Sequence, residues 1–436
     1  LHYHRSAISH LEAGRHPAPR EFWERADALL GAEGALVAGY EDFVVAKREY
    51  ERSGLPRHGD AGEGLTSDAA DDPVLCAPWT AAGTVESAVV LKGGDGRVKR
   101  RVFLSLTGPA LTAPAHQWLI HEPGPLVSGL SGRRVSIGLV HRFTAMIAEL
   151  RGMDDVAGGG GVLSLAEHQF GWVAGLLDRA SYDERTGRAL HVALAELGQL
   201  CGWGAYDAGR PGLAQRYNII ALRAAHSADD RPLGAHVLGS MSKQAAHQGR
   251  PAEAATLAET ALVGVRSQRT PRLLAQLHVR RAYASATLRD RSACIEAISK
   301  ARIQIEQLDS EADPPWLYWV IPAWITVEAG DCLLRLEQAD RAAAMLNEGV
   351  ALFDESFARD RQLYTIHLAD ARVRPGKQQD LEAAARLGMA SIDLVESLDS
   401  TLTVDLLRDL YCQMKPHHKV PAVRDFLERA RGLAQV

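Results

Sequence analysis

The chain has 436 residues, 46% of them hydrophobic, ample for a large core divided among several domains. Its formal net charge of -5 excludes a globally basic nucleic-acid field, and no apolar run reaches the roughly 18 residues needed to cross a bilayer. Five scattered cysteines without a CxxC pair argue against a disulfide framework or zinc site and for reduced thiols in a cytoplasmic setting.

The first predicted element is a short helix from Arg5 to Ala13. Ile8 and Leu11 share its one apolar face, and Ser6, Ser9 and His10 lie opposite with Arg5 at the flank. Gly14 is a natural left-handed cap, and "RHPAP" blocks any continuation. So thin a helix needs docking partners on its apolar side, while its small polar side fits a narrow space such as a DNA major groove. "YHRSAISHLEAGRHPAP" resembles the recognition helix and following turn of Xre-type (lambda-repressor-like) helix-turn-helix proteins, with Ser6, Ile8, Ser9, Leu11, Glu12, Gly14 and Pro17 in the matching positions. "PREFWERADALLGA" (19–32) is similar to the next helix of that family. The resemblance implies a partial helix-turn-helix bundle over 1–57, since two further family helices would precede Leu1. It also implies that Arg5, Ser6, Ser9 and His10 face bases of a double-stranded operator, with Arg15 and Arg20 meeting phosphates.

Residues 34–52 carry Leu36, Tyr40, Phe43 and Val44 at helical spacing, either as a packed final helix or as a dimer contact. Residues 58–73 hold five acids and no Lys or Arg, the composition of a solvated linker. "RVKRRVFL" (97–104) looks like a twin-arginine signal out of place, about 100 residues in. It reads instead as a solvated turn or a basic patch. "AGGGGV" (157–162) lacks the Lys-Ser/Thr of a phosphate loop and reads as a hinge. The stretch 58–163 is therefore expected to connect two domains, with no structure assigned to 74–160.

From residue 164 to 436 the pattern is nearly all helical and repeats with a step of 40. "GWGAYDAGRPGLAQRYNIIAL" (202–222) aligns with "SKQAAHQGRPAEAATLAETAL" (242–262), and Ala221 steps to Ala261 and Ala301. Further pairs follow at 329–353, 368–394 and 403–433. Each unit is a helix, a Gly/Pro/Asp turn and an alanine-rich helix, which cannot bury its face alone and must stack. This resembles tetratricopeptide repeats lengthened from about 34 residues. The predicted fold class is all-α: a partial helix-turn-helix bundle followed by a tetratricopeptide-like α-solenoid, an arrangement similar to actinobacterial Xre-type regulators.

In such arrays the first helix of each pair lines the concave side. Stepping by 40 from the Leu197-Gly198 anchor puts Trp203, Lys243 and Tyr283 in one column, with Gln199 and Glu328 beside it. Two rings and a lysine suit an extended peptide or a small effector, the lysine meeting a carboxylate. Trp316, Tyr318 and Trp319 are placed to close the far end of the groove. His417-His418 falls in a turn and reads as solvent-exposed. No HExxH, GxSxG or Walker sequence argues for catalysis, and no cofactor or metal is expected. The function expected is a homodimeric, ligand-responsive DNA-binding regulator. The alternative is a repeat scaffold acting only through protein contacts.

Overall fold

The structure is a computed structural model. It describes residues 72–93, 105–124, 132–266, 268–307, 313–395 and 400–432, together with residues 20, 24, 27, 28, 34 and 37. The chain divides into two units, Leu1–Gly64 and Leu65–Val436. In the first, Arg20, Glu24, Asp27 and Ala28 are helical, within the helix expected over 19–32. Asp27 is buried and accepts hydrogen bonds from the backbone N–H of Gly34 (2.7 Å) and Val37 (3.3 Å), so its carboxylate ties the turn to this helix. Arg20 is exposed, with Glu24 3.3 Å away. Arg5, Ser6, Ser9, His10 and Arg15 lie outside the described residues, as do 38–71 and the basic stretch 97–104.

The second unit holds 17 α-helices among the described residues: α1 (Pro73–Cys76), α2 (Ala81–Gly93), α3 (Pro109–Ile120), α4 (Ile137–Ala157), α5 (Gly159–Arg179), α6 (Glu184–Asp207), α7 (Pro211–Ser227), α8 (Arg231–His247), α9 (Pro251–Gly264), α10 (Pro271–Thr287), α11 (Arg291–Glu306), α12 (Pro322–Arg335), α13 (Ala339–Leu352), α14 (Ala358–Val373), α15 (Leu381–Val395), α16 (Thr401–Met414) and α17 (Pro421–Arg429). No strand is present among the described residues, only an isolated bridge between Arg134 and Ser181. From α6 onward consecutive helices pack as hairpins, so the unit is an all-α, solenoid-like array.

The 40-residue step is a step in backbone geometry. Helices α6, α8 and α10 each end in a left-handed residue, at Gly209, Gly249 and Arg289, and α12 ends the same way at Glu337. In each, the next N–H reaches back to the last helical turn: Arg210 to Ala205, Arg250 to Ala245, Asp290 to Ser285 and Gln338 to Leu333, at 2.8–2.9 Å. This closure satisfies carbonyls that a helix end leaves open. Pro at the first turn of α7, α9, α10 and α12, and the Asp caps of α6, α8 and α11, start the helices. Ala221, Ala261 and Ala301 are fully buried where the second helix of each pair packs on the first.

The described residues of 72–157, a stretch read from sequence as a connection, form a layer against the array. Gly158 is left-handed (φ 86), and the following glycines open α5. Helix α7 is buried all round, yet it carries Gln215, Arg216, Asn218 and Arg223. These polar groups hold the added layer. Arg216 pairs with Asp72 at 2.7 Å, both 3% exposed. Arg223 donates to the carbonyls of Leu75, Ala77 and Pro78, and Gln215 accepts from Leu106 N at 2.6 Å. Trp118 of α3 is wholly buried in a notch left by Gly234 and Gly264. A Cβ on Gly264 would lie 2.1 Å from its ring, and one on Gly234 2.3 Å away.

The array also closes on itself. Helix α4 packs on α5 and α6 and reaches α14. Asp207, at the end of α6, accepts from Gly159 N (2.9 Å) and from Ser400 Oγ at the head of α16 (2.7 Å). Start and end of the superhelix thus enclose a space between them.

Candidate ligand-binding cavity

That space is a cavity of about 570 Å³, walled by the first helix of each hairpin (α6, α8, α10, α12 and α14), by α4, by the spacer around Trp316 and by α16. Its size lies in the range of small-molecule and cofactor sites. Of the five residues that the repeat pattern aligns, Gln199, Trp203, Lys243 and Glu328 line it. Tyr283 is fully buried behind that wall. Trp316, Tyr318 and Trp319 line one end, as the spacer predicts.

The lysine is engaged by the chain itself. Lys243 Nζ lies 2.8 Å from Glu328 Oε2 and 3.7 Å from Asp331 Oδ2, and 3.7 Å from the centre of the Tyr283 ring. Arg280 Nη1 donates to the other Glu328 oxygen at 2.9 Å. Burial pushes the Glu328 carboxyl up, but Lys243 and Arg280 more than offset this, so it stays below the usual carboxylate range. Burial likewise acts on Asp331, where Arg335, His367 and Lys243 reverse it. The carboxylate expected to meet Lys243 from a ligand is therefore supplied by α12.

A second charged cluster joins α4 to α14. The Arg359 guanidinium sits 4.9 Å from the centre of the Trp203 ring, 2.8 Å from Asp360 and 4.0 Å from Asp154. Burial pushes Asp154 up to about 7 despite the nearby Arg359, and pushes Asp155 up to about 6 although the Tyr318 hydroxyl donates to it. Burial also keeps the cavity's histidines neutral. His236 is pushed down to about 3 and bonds Gln276 at 2.9 Å, and His247, bonded to the Tyr206 hydroxyl, is held well below its usual value.

The far end is aromatic. Trp316 stacks on His236 at 4.8 Å, and Trp319 meets Trp324 edge-on at 4.8 Å. Arg280 lies 5.1 Å from the centre of the Trp324 ring. Among the described residues no three His, Cys, Asp or Glu side chains converge as a metal ligand set.

Sequence reasoning missed Arg280 and His236, although the same step of 40 relates Ser240 to Arg280 and His236 to its partner Gln276. It had no signal for Arg151, Asp154 and Asp155, which come from α4, outside the repeats, nor for Arg359. Neither a protein-family model nor a curated protein sequence matches the chain.

Proposed function

We propose that this chain is a DNA-binding regulator of the helix-turn-helix type whose tetratricopeptide-like repeat domain takes up a peptide or small-molecule ligand, acting as a homodimer in the cytoplasm and not as an enzyme. The observation that carries the ligand half is the cavity of about 570 Å³, enclosed by both ends of the array and lined with aromatic rings and charged side chains. The DNA half rests on the resemblance of "YHRSAISHLEAGRHPAP" to a recognition helix. Two-fold operators with half-sites about one helical turn apart would call for a dimer.

The test is selection of duplexes from a random library by the full-length protein, followed by fluorescence anisotropy across salt. A specific sequence should be enriched, and Arg20→Ala should weaken all duplexes alike and reduce the log–log salt slope by about 1. No enrichment even at about 50 mM salt would overturn the regulator in favour of the protein-contact scaffold. A monomeric mass by light scattering at micromolar concentration would overturn the dimer.

A further inference from the structure

The cations lining the cavity are unequally satisfied. Lys243 has Glu328, Asp331 and a tyrosine ring around it, Arg359 has Asp360 and Asp154, and Arg335 has Asp331. Arg280 shares the Glu328 carboxylate with Lys243 and lies against the Trp324 ring, and Arg151 Nη1 reaches Glu196 at 2.8 Å. Arg280 Nε and Arg151 Nη2 are buried and meet no hydrogen-bond acceptor. Arg335 and Arg359 likewise leave an Nε–H unmatched, so the distinction lies in where these donors gather. A guanidinium offers five donors in a fork, and burying one of them unused is costly.

Arg280 and Arg151 share a neighbourhood. Both act as positive neighbours of His236, whose neutral ring stacks on Trp316. Trp319 spends its own N–H on the Trp316 carbonyl at 3.0 Å, which leaves its ring to the wall. Asp154 and Asp155, one turn along α4 from Arg151, have partners of their own: Arg359 lies 4.0 Å from Asp154, and the Tyr318 hydroxyl donates to Asp155. The cavity's acids are thus matched, while one N–H of Arg280 and one of Arg151 have no acceptor.

We propose that the ligand is an anion on an aromatic or apolar body, its charged group held by Arg280 and Arg151 and its body lying on the Trp316–Trp319–Trp324 wall. A carboxylate suits the planar forks best, and it has two sources: a small aromatic acid, or the C-terminus of a peptide with an aromatic last residue. This rests on the reading of the cavity as a ligand site and names the chemistry it selects.

The test uses the full chain and three fluorescent probes with similar bodies: 8-anilinonaphthalene-1-sulfonate, its neutral counterpart N-phenyl-1-naphthylamine, and the cationic N-(1-naphthyl)ethylenediamine. The anionic probe should bind at least about tenfold more tightly than the other two. Arg280→Gln and Arg151→Gln should each weaken it about tenfold while leaving the neutral probe within about twofold, so that the neutral probe and thermal melting report an intact fold. Trp319→Ala should weaken both the anionic and the neutral probe. Displacement of the anionic probe by phenylacetate supports a small acid as the source. Displacement only by a pentapeptide ending in phenylalanine, and not by its C-terminal amide, supports a peptide end. Equal binding of anionic and neutral probes, or tighter binding of the cation, overturns the anion pole and leaves the cavity as a ligand site. Failure of all three probes to bind overturns the cavity reading itself.

Discussion

Lys243 and Glu328, 85 positions apart, form a 2.8 Å ion pair in the wall of the cavity, with Arg280 on the other oxygen of the same carboxylate. Glu328 is 2% exposed, so removing its charge strands two buried cations. Glu328→Gln is expected to destabilise the fold by about 3–5 kcal/mol in urea denaturation, and Lys243→Met by less, because Arg280 still pairs the carboxylate. The folded carboxyl is held below its unfolded value of about 4.3, so the pair's contribution is present above that pH and is lost as pH falls through the folded value. The gap between wild type and Glu328→Gln should therefore narrow in acid. A gap that stays constant from neutral pH to pH 3 would contradict the pairing.

Asp154 gives the opposite sign. Burial raises its carboxyl to about 7, above the unfolded value of about 3.9, so the folded state holds a proton that the unfolded chain has released. This group's contribution is complete below about pH 4 and declines as pH rises to about 7. Asp154→Asn keeps the neutral shape, and Arg359 keeps Asp360. The variant should match wild type near pH 4 and exceed it at pH 8 by on the order of 4 kcal/mol. Equal stability of the two proteins at pH 8 would refute the buried, protonated state.

Trp118 and Gly264 should be coupled. Trp118→Ala empties a fully buried site and is expected to cost about 3–5 kcal/mol. Gly264→Ala would press a methyl group to 2.1 Å from the ring and should cost about 1–3 kcal/mol. Once Trp118 is alanine, the same glycine substitution should cost little. A double-mutant cycle measures this, and additive effects would mean that the ring does not occupy the notch.

At Glu337 the backbone is left-handed (φ 60), in the turn where the earlier hairpins carry Gly209 and Gly249. That conformation costs a residue with a Cβ about 1–2 kcal/mol. The ion pair Glu337 makes with Arg289 (3.0 Å) is largely exposed, with side chains 72% and 60% accessible, and contributes little. Glu337→Gly is thus expected to raise stability by about 0.5–1 kcal/mol, read from the urea midpoint at unchanged slope.

The helices and their step of 40 were legible in the sequence because each is written locally. Proline and aspartate start the helices, glycine ends α6 and α8, and alanine at 221, 261 and 301 marks where second helices pack. The same periodicity placed Trp203, Lys243, Gln199 and Glu328 on one wall, since equivalent positions of stacked helices face the same way. Which charges pair across that wall was decided only by the tertiary structure. The curvature of the array brings α12 to α8 and α14 to α4, joining Lys243 to Glu328 and Arg359 to Asp154 over distances in sequence that no local pattern encodes. Residues 72–157 were opaque for the same reason. The partners of Trp118, Asp72 and Asp154 lie in helices far along the chain, and a helix whose apolar and charged positions meet partners that distant carries no periodic signature of its own.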